Sequence, residues 1–156
     1  MSALLQTTVV LLGPSEDEKL LLAEALTEHS TQRHVRLATS LPLQMDNGRP
    51  EIDFLVFMVS MQHRPSLDSF KASLHHLETQ FTCGRTIVVI LHADDESKYA
   101  FPMRLLDETL STWEFGLVYG NLDDARSIEA LASSLARLTE STEKATLLST
   151  MDLGII

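Results

Sequence analysis

The chain of 156 residues is predicted to fold as a three-layer α/β domain, with a mostly parallel sheet of about five strands and helices on both faces. Short apolar runs alternate along the chain with helical patterns, as expected where crossover connections join parallel strands. The run over residues 54–59 is apolar without interruption, which is typical of a strand covered on both faces. The length suits one domain.

Five segments are short, apolar and partly β-branched, and these features together predict strands. They are Thr7–Leu12, His34–Thr39, Ile52–Val59, Thr86–Leu91 and, with a weaker pattern, Phe115–Tyr119. Because crossovers between parallel strands are right-handed, we expect the intervening helices to cover both sides of the sheet.

Four segments are predicted to be helices. Ser15–Glu28 is rich in Leu, Ala and Glu, which favour helix. The other three carry apolar residues at steps of three and four along one face. These stripes are Leu67, Phe70, Leu74, Leu77 and Phe81; Met103, Leu106, Leu110 and Trp113; and Ile128, Leu131, Leu135 and Leu138. Pro65 suits the start of the second helix, and Gly84 suits the turn after it.

Charge and cysteine content exclude several classes of protein. The chain has 22 acidic and 12 basic side chains, a formal net charge of -10. We therefore expect no direct binding to nucleic acid, which needs clustered Lys and Arg. The single Cys83 excludes an internal disulfide and a Cys-rich zinc site, and it suits a reducing compartment. We expect no membrane span and no signal peptide, since the apolar runs are too short.

The loop between the first strand and the first helix is where such folds commonly bind phosphate. Gly13 and Lys19 stand at the offsets of a phosphate-binding loop, but Glu18 replaces its second glycine. Leu20 replaces the hydroxyl that holds magnesium. Acids at positions 16–18 would repel phosphate, because two like charges ~4 Å apart at an effective dielectric near 20 interact by about 4 kcal/mol. We predict an acidic helix start that binds no nucleotide and no other cofactor.

Other signatures of catalysis are missing as well. No Asp is followed three positions later by Gly, and residues 92–95 read HADD where a guanine-reading Asn-Lys-x-Asp would follow the fourth strand. His75 and His76 do not predict a metal site, because adjacent helical residues point about 100° apart. Cys83 has no identifiable base beside it, as a catalytic thiol requires. We therefore predict that the protein is not an enzyme, with no catalytic residue and no metal ligand.

A family resemblance rests on three segments: SLPL at residues 40–43, RPEIDFLVFMV at 49–59 and SLHHL at 73–77. With the strand–helix order and the Gly13/Lys19 pair, they resemble a Ras-type small GTPase, and they are more similar to the centromere protein M family of GTPase-like kinetochore subunits. The resemblance is most specific over residues 40–91. It implies a structural subunit of the inner-kinetochore network, located at centromeres in the nucleus, that assembles with centromere proteins I, H and K and binds no nucleotide.

Residues 142–156 are predicted to be an apolar tail after a domain of residues 1–141. An apolar chain end either packs on its own domain or docks onto a partner. The last helix should end where the strands begin, at the same end of the sheet as the loop that carries Cys83. We predict a partner surface there. Its residues are Cys83, Leu147, Leu148, Met151 and Leu153.

Two other functions remain open from the sequence. The chain could be a divergent nucleotide-binding switch, which micromolar binding of GTP or ATP would favour. It could also be a protein-binding adaptor that acts outside the centromere, which a failure to bind the centromeric proteins would favour.

Overall fold

The computed structural model describes residues 7–29, 33–41, 52–77 and 85–139, and these residues form a three-layer α/β fold. The strands are β1 (Thr7–Leu12), β2 (Arg33–Ala38), β3 (Phe54–Ser60), β4 (Thr86–Leu91) and β5 (Gly116–Gly120). The helices are α1 (Glu16–His29), α2 (Arg64–Leu74), α3 (Met103–Leu110) and α4 (residues 125–139), with a short 3-10 turn at Glu96–Lys98. The predicted fold class is confirmed.

The five strands form one parallel sheet in the order β2-β1-β3-β4-β5. From β1 the chain crosses to β2 on one side, and from β3 it continues through β4 to β5 on the other. The order therefore reverses between β1 and β3, which is the topological switch point of a doubly wound sheet. The outermost strands among the described residues are β2 and β5.

The sheet separates two apolar layers, because successive side chains of a strand point to opposite faces. Val9 and Leu11 of β1 belong to the layer that includes α1 and α4. Val10 and Leu12 belong to the layer that includes α2 and α3. All residues of β3 and β4 are buried, which explains why their sequences are apolar without alternation.

Phe70 of α2 joins the sheet to the segment before β5. Its ring meets Phe57 of β3 edge to face at 5.0 Å between centroids, and Phe115 at 6.4 Å. Trp113 stacks on Phe115 at 5.2 Å. Aromatic pairs in these geometries add about 0.5–1.5 kcal/mol beyond the area that they bury.

Two helices are shorter than the apolar stripes predict. α2 ends at Leu74, because the next three backbone N–H groups donate to carbonyls only three residues back, in tight turns. His75 and His76 therefore lie beyond the helix, while Phe81 and Gly84 fall outside the described residues. α3 ends at Leu110, and Trp113 follows it in a turn. The strand bounds of β2, β3 and β5 differ from the predicted ones by one or two residues.

α4 is held at both of its described ends. At its start, Asp124 Oδ1 accepts a hydrogen bond from the Ser127 N–H at 2.7 Å, and this bond lowers the pKa of Asp124 below its ordinary value. The cap therefore stabilises α4 above that ordinary pKa and is lost as the pH falls through the lowered one. At the other end, Arg33 Nη2 donates to Thr139 Oγ1 at 3.0 Å, which places the end of α4 beside the start of β2.

Within the described ranges, no helix is long and apolar enough to cross a membrane.

We expect Phe70→Ala to lower the free energy of unfolding by about 3–5 kcal/mol, because it leaves a cavity between α2 and β3. The control is Leu21→Ala, since Leu21 is 41% exposed on α1 and its truncation should cost no more than about 0.5 kcal/mol. Urea denaturation followed by circular dichroism measures both values. Equal losses in the two variants would contradict the packing described for Phe70.

Candidate functional site

The carboxyl edge of the sheet is the first place to look for a site. We use this name for the loops that follow Leu12, Ser60, Leu91 and Gly120. In open α/β sheets, ligands bind in the crevice outside the carboxyl ends of the strands, at the switch point. Here that crevice lies between the segments after β1 and β3; Gly13 is in the loop after β1, and Lys19 is in the first turn of α1.

The Lys19 side chain is buried, and its ammonium group is bonded to other groups of the same protein. Its side chain is 1% exposed, and Nζ donates a hydrogen bond to the Ala38 carbonyl oxygen at 2.8 Å. Glu16 Oε1 lies 3.4 Å from the same nitrogen. A lysine that binds phosphate must present its ammonium group to the ligand. The Lys19 ammonium group instead caps the carboxyl end of β2.

Gly13 lies where the chain leaves β1 close to β3. A Cβ atom at this position would stand 3.3 Å from the Met58 carbonyl oxygen and 3.4 Å from Met58 Cβ. The backbone N–H of Gly13 donates to the Ala38 carbonyl oxygen at 3.3 Å. These contacts explain the glycine by close packing between two neighbouring strand ends, with no phosphate required.

The start of α1 carries its own capping group. Ser15 Oγ accepts a hydrogen bond from the Glu18 N–H at 3.3 Å, as an N-cap serine does. The acidic residues of the first turn, Glu16, Asp17 and Glu18, stabilise the helix dipole. Leu20, which stands in place of the magnesium-binding hydroxyl, is exposed to solvent.

His92 connects three loops of the carboxyl edge, and the sequence analysis missed it. Its backbone has φ 58°, which is uncommon for a residue other than glycine, and its N–H donates to the Gly120 carbonyl oxygen at 3.1 Å. The ring stands between two carboxylates, with Nε2 3.7 Å from Glu18 Oε2 and Nδ1 3.9 Å from Asp123 Oδ1. In the sequence, a histidine after a buried strand is only a weak signal of such a cluster, because the two carboxylates near its ring come from distant parts of the chain.

The loop after β3 is closed by hydrogen bonds of its own. The Ser60 N–H donates to Ser66 Oγ at 2.9 Å, and Ser66 Oγ donates to the His63 carbonyl oxygen at 2.7 Å. Met61 is fully buried in the same loop. These contacts fix the start of α2 against the end of β3.

The carboxyl edge is strongly acidic. The segments that follow β1, β4 and β5, with the first turn of α1 included, carry eight carboxylates: Glu16, Asp17, Glu18, Asp94, Asp95, Glu96, Asp123 and Asp124. Hydrogen bonds from Ser97 lower the pKa of Asp95, which favours its charged form. No group of three His, Cys, Asp or Glu side chains in the described part of the chain could hold a metal ion. Because of its eight carboxylates, the carboxyl edge is unfavourable for an anion.

The amino edge of the sheet, where the strands begin, has a different chemistry. Asp53 Oδ2 accepts a hydrogen bond from the Thr8 N–H at 2.8 Å, and Arg85 Nη1 lies 3.9 Å from Asp53 Oδ1. Arg33, at the start of β2, is only 6% exposed. Its Nε and Nη1 atoms meet no hydrogen-bond partner among the residues that the structure describes. Buried donors are normally paired, so further contacts are expected at this edge.

The residues of the predicted partner surface lie outside the described part of the chain. They are Cys83, Leu147, Leu148, Met151 and Leu153. Their nearest described neighbours in sequence are Arg85 before β4 and Thr139 at the end of α4, and both are at the amino edge. The partner surface therefore stays a prediction.

An open groove of about 450 Å³ lies between β5 and α4, away from the carboxyl edge. It is lined by Leu117, Val118 and Tyr119 of β5 and by Ser134, Arg137 and Leu138 of α4. The sequence predicts β5 and α4 as elements. It does not show that β5 is an outer strand, because strand order depends on contacts between distant segments.

Comparison with known proteins identifies similar sequences and a similar fold. The family model described as Centromere protein M (CENP-M) matches residues 1–151. Centromere protein M of Bos taurus is 30% identical over 139 residues, 87% of this chain and 77% of the relative. The Homo sapiens protein is 29% identical with the same coverage, and the Danio rerio protein is 38% identical over 94 residues, 57% of this chain and 50% of the relative.

Among solved structures, oxidised flavodoxin 1 from Bacillus cereus is similar, with a TM-score of 0.54. The match covers 86% of this chain and 98% of that one, at 10% sequence identity. At this identity the likeness concerns the fold alone. It agrees with the strand order, since the order 2-1-3-4-5 is that of flavodoxin-like sheets.

We expect Gly13→Ala to lower the free energy of unfolding by about 1–3 kcal/mol, because the backbone of the buried strand β3 cannot move away from the added methyl group. Gly116→Ala is the matched control. The nearest atom to its new Cβ, Ile87 Cγ1, stands at an ordinary 3.5 Å, so the change should be neutral or stabilising by up to about 1 kcal/mol. Thermal and urea unfolding check both values, and similar effects in the two variants would contradict the packing role of Gly13.

Proposed function

Because the chain belongs to the centromere protein M family, we propose that it is a non-catalytic structural subunit of the inner kinetochore. Family membership makes it a centromere protein and supports a location at the centromere, and hence in the nucleus. In this proposal the GTPase-like domain is a scaffold of the constitutive centromere-associated network. It binds centromere protein I, together with H and K, and so contributes to kinetochore assembly and chromosome segregation.

The state of Lys19 carries the non-catalytic part of the proposal. A nucleotide switch depends on a lysine that leaves its own chain and binds the β- and γ-phosphates. Lys19 is buried, and its ammonium group already bonds to the Ala38 carbonyl oxygen beside Glu16. If the Lys19 ammonium group moved to a nucleotide, the Ala38 carbonyl oxygen would lose its hydrogen-bond donor. The phosphates would also lie among the carboxylates of the carboxyl edge, which repel them.

The amino edge supports the partner-binding part. Thr139, held by Arg33, fixes the point from which residues 140–156 continue. Those residues include more apolar side chains than a solvent-exposed end needs. They are Leu147, Leu148, Met151, Leu153, Ile155 and Ile156. Arg33 also has donors that no described residue satisfies, which favours additional packing at this edge.

Calorimetry with GTP and with ATP, each with and without Mg²⁺, tests the absence of a nucleotide site. We expect no measurable heat of binding to the full chain, because the Lys19 ammonium group and the acidic loops leave no place for phosphate. A small GTPase of known affinity, titrated in the same buffer, shows that the assay detects binding. A dissociation constant in the micromolar range would favour the nucleotide-switch alternative and contradict the proposal.

Size-exclusion chromatography with purified centromere protein I tests the partner surface. We expect the full chain to co-elute with it, and the double variant Leu148→Glu/Met151→Glu to lose co-elution while its melting temperature stays nearly unchanged. Ser149→Glu/Thr150→Glu is the matched control, because it adds the same charge to the same segment and removes no apolar side chain.

Three results would contradict this part of the proposal. Unfolding of the Leu148→Glu/Met151→Glu variant would make these residues part of the domain core. Equal loss of co-elution in the two variants would show that the added negative charge, and not the loss of apolar side chains, prevents binding. Failure of the unaltered chain to co-elute would favour an adaptor that acts elsewhere.

A further inference from the structure

Within the described part of the chain, β5 has a neighbouring strand on only one side of its backbone. Among the described residues it pairs only with β4, in a parallel register from Ile87↔Gly116 to Leu91↔Gly120. The N–H and C=O groups that point away from β4 form a row that another extended chain can pair with. Proteins usually protect such edges with charged residues, proline or a covering element.

On one face of β5 the side chains do not protect the edge, because they are large, mostly apolar and exposed to solvent. Leu117 and Tyr119 are 43% and 57% exposed, although both are large and mostly apolar. They stand in register with Val88 and Ile90 of β4, which are buried in the layer of α2 and α3. The apolar layer on this face therefore continues onto β5 and is left partly uncovered there.

The other face of β5 borders α4 and carries a positive charge. Ser134, Arg137 and Leu138 line the groove there together with β5. In the described part of the chain, Arg137 makes no ion pair with a carboxylate. Arg64, Arg85 and Arg104 each lie within 3.9 Å of a carboxylate oxygen, whereas Arg36 and Arg126, like Arg137, make no ion pair among the described residues. Arg137 is also exposed to solvent, so its charge is available to an acidic group of a partner.

We propose that the open edge of β5 accepts a strand from a partner protein, in which apolar and acidic residues alternate. The added backbone would pair with β5, as in other cases of strand addition to a sheet edge. Its apolar side chains lie beside Leu117 and Tyr119, as cross-strand neighbours do. Its acidic side chains point to the opposite face and meet Arg137.

The handedness of the fold argues against the chain's own end as this strand. Going from β3 through α2 to β4, and from β4 through α3 to β5, the chain moves in one direction with its helices in one layer. A parallel strand beyond β5, reached through α4, would continue in that direction with its helix in the opposite layer. That is a left-handed crossover, which occurs in only about 2% of such connections.

A second copy of the chain is also disfavoured as the occupant. β5 itself, Gly116–Gly120, contains no acidic residue. Edge pairing between copies would supply no dedicated carboxylate for Arg137, whereas an acidic segment of a partner would. This inference rests on the proposed scaffold function and adds to it a second surface, on a different part of the domain from residues 142–156.

Nuclear magnetic resonance of the full chain, titrated with two short synthetic peptides, tests the proposal. In one peptide valine alternates with glutamate, and in the other valine alternates with lysine. We expect the valine–glutamate peptide to shift the amide signals of Leu117, Val118 and Tyr119 and to slow their hydrogen exchange. The valine–lysine peptide should bind about tenfold more weakly, a difference of about 1.4 kcal/mol.

Two variants make the test specific. Arg137→Glu should reverse the preference between the two peptides. Leu117→Ser/Tyr119→Ser should weaken the binding of both. The matched control is Leu20→Ser/Leu21→Ser, which removes an exposed apolar pair on α1 and should leave binding unchanged. All four side chains are at least 41% exposed, so we expect these variants to fold.

Several outcomes would overturn the proposal. They are the absence of shifts in β5 at millimolar peptide, the same peptide preference in Arg137→Glu, and equal loss of binding in the α1 control. Protection of the outer β5 amides in the free chain would indicate that its own end occupies the edge, and concentration-dependent shifts without peptide would indicate a second copy. Co-elution with centromere protein I is measured separately, so failure at β5 is distinguishable from failure of the proposed function.

Discussion

Coverage of both faces of a parallel sheet is the constraint on which the rest of this structure depends. β3 and β4 are buried along their whole length, so helices must lie on each side of them. α1 and α4 cover one face, and α2 and α3 cover the other. Because helices cover both faces of the central strands, the parts of the sheet that other molecules can still reach are the two ends of the strands and the outer edges.

The carboxyl edge is the usual ligand site of this fold, and here its parts stabilise the domain instead. Lys19 caps the end of β2, Gly13 allows the turn to pass close to β3, and His92 joins loops that come from three parts of the chain. Each is a contact within the domain. Together they engage the atoms that would otherwise face a phosphate, and the neighbouring carboxylates disfavour an anion.

The two remaining surfaces, the amino edge and the edge of β5, are those through which we propose that the domain binds other proteins. The amino edge includes the end of α4 and the buried Arg33, whose donors the described residues satisfy only in part. The edge of β5 offers backbone that no described strand pairs with, the apolar side chains of Leu117 and Tyr119, and the positive charge of Arg137. They differ in chemistry, so a scaffold could hold two partners, or two parts of one partner, at the same time.

The sequence by itself determined the type and order of the elements, because apolar runs and periodic stripes are local patterns, as in 54–59 and in Leu67 and Phe70. It also showed the acids beside Lys19, since these are neighbours along the chain. Only the tertiary structure decided that β5 is an outer strand among the described ones, that Lys19 points inward to Ala38, and that α2 stops at Leu74. Each of these outcomes depends on competition between contacts from distant segments, and no local pattern encodes which contact prevails.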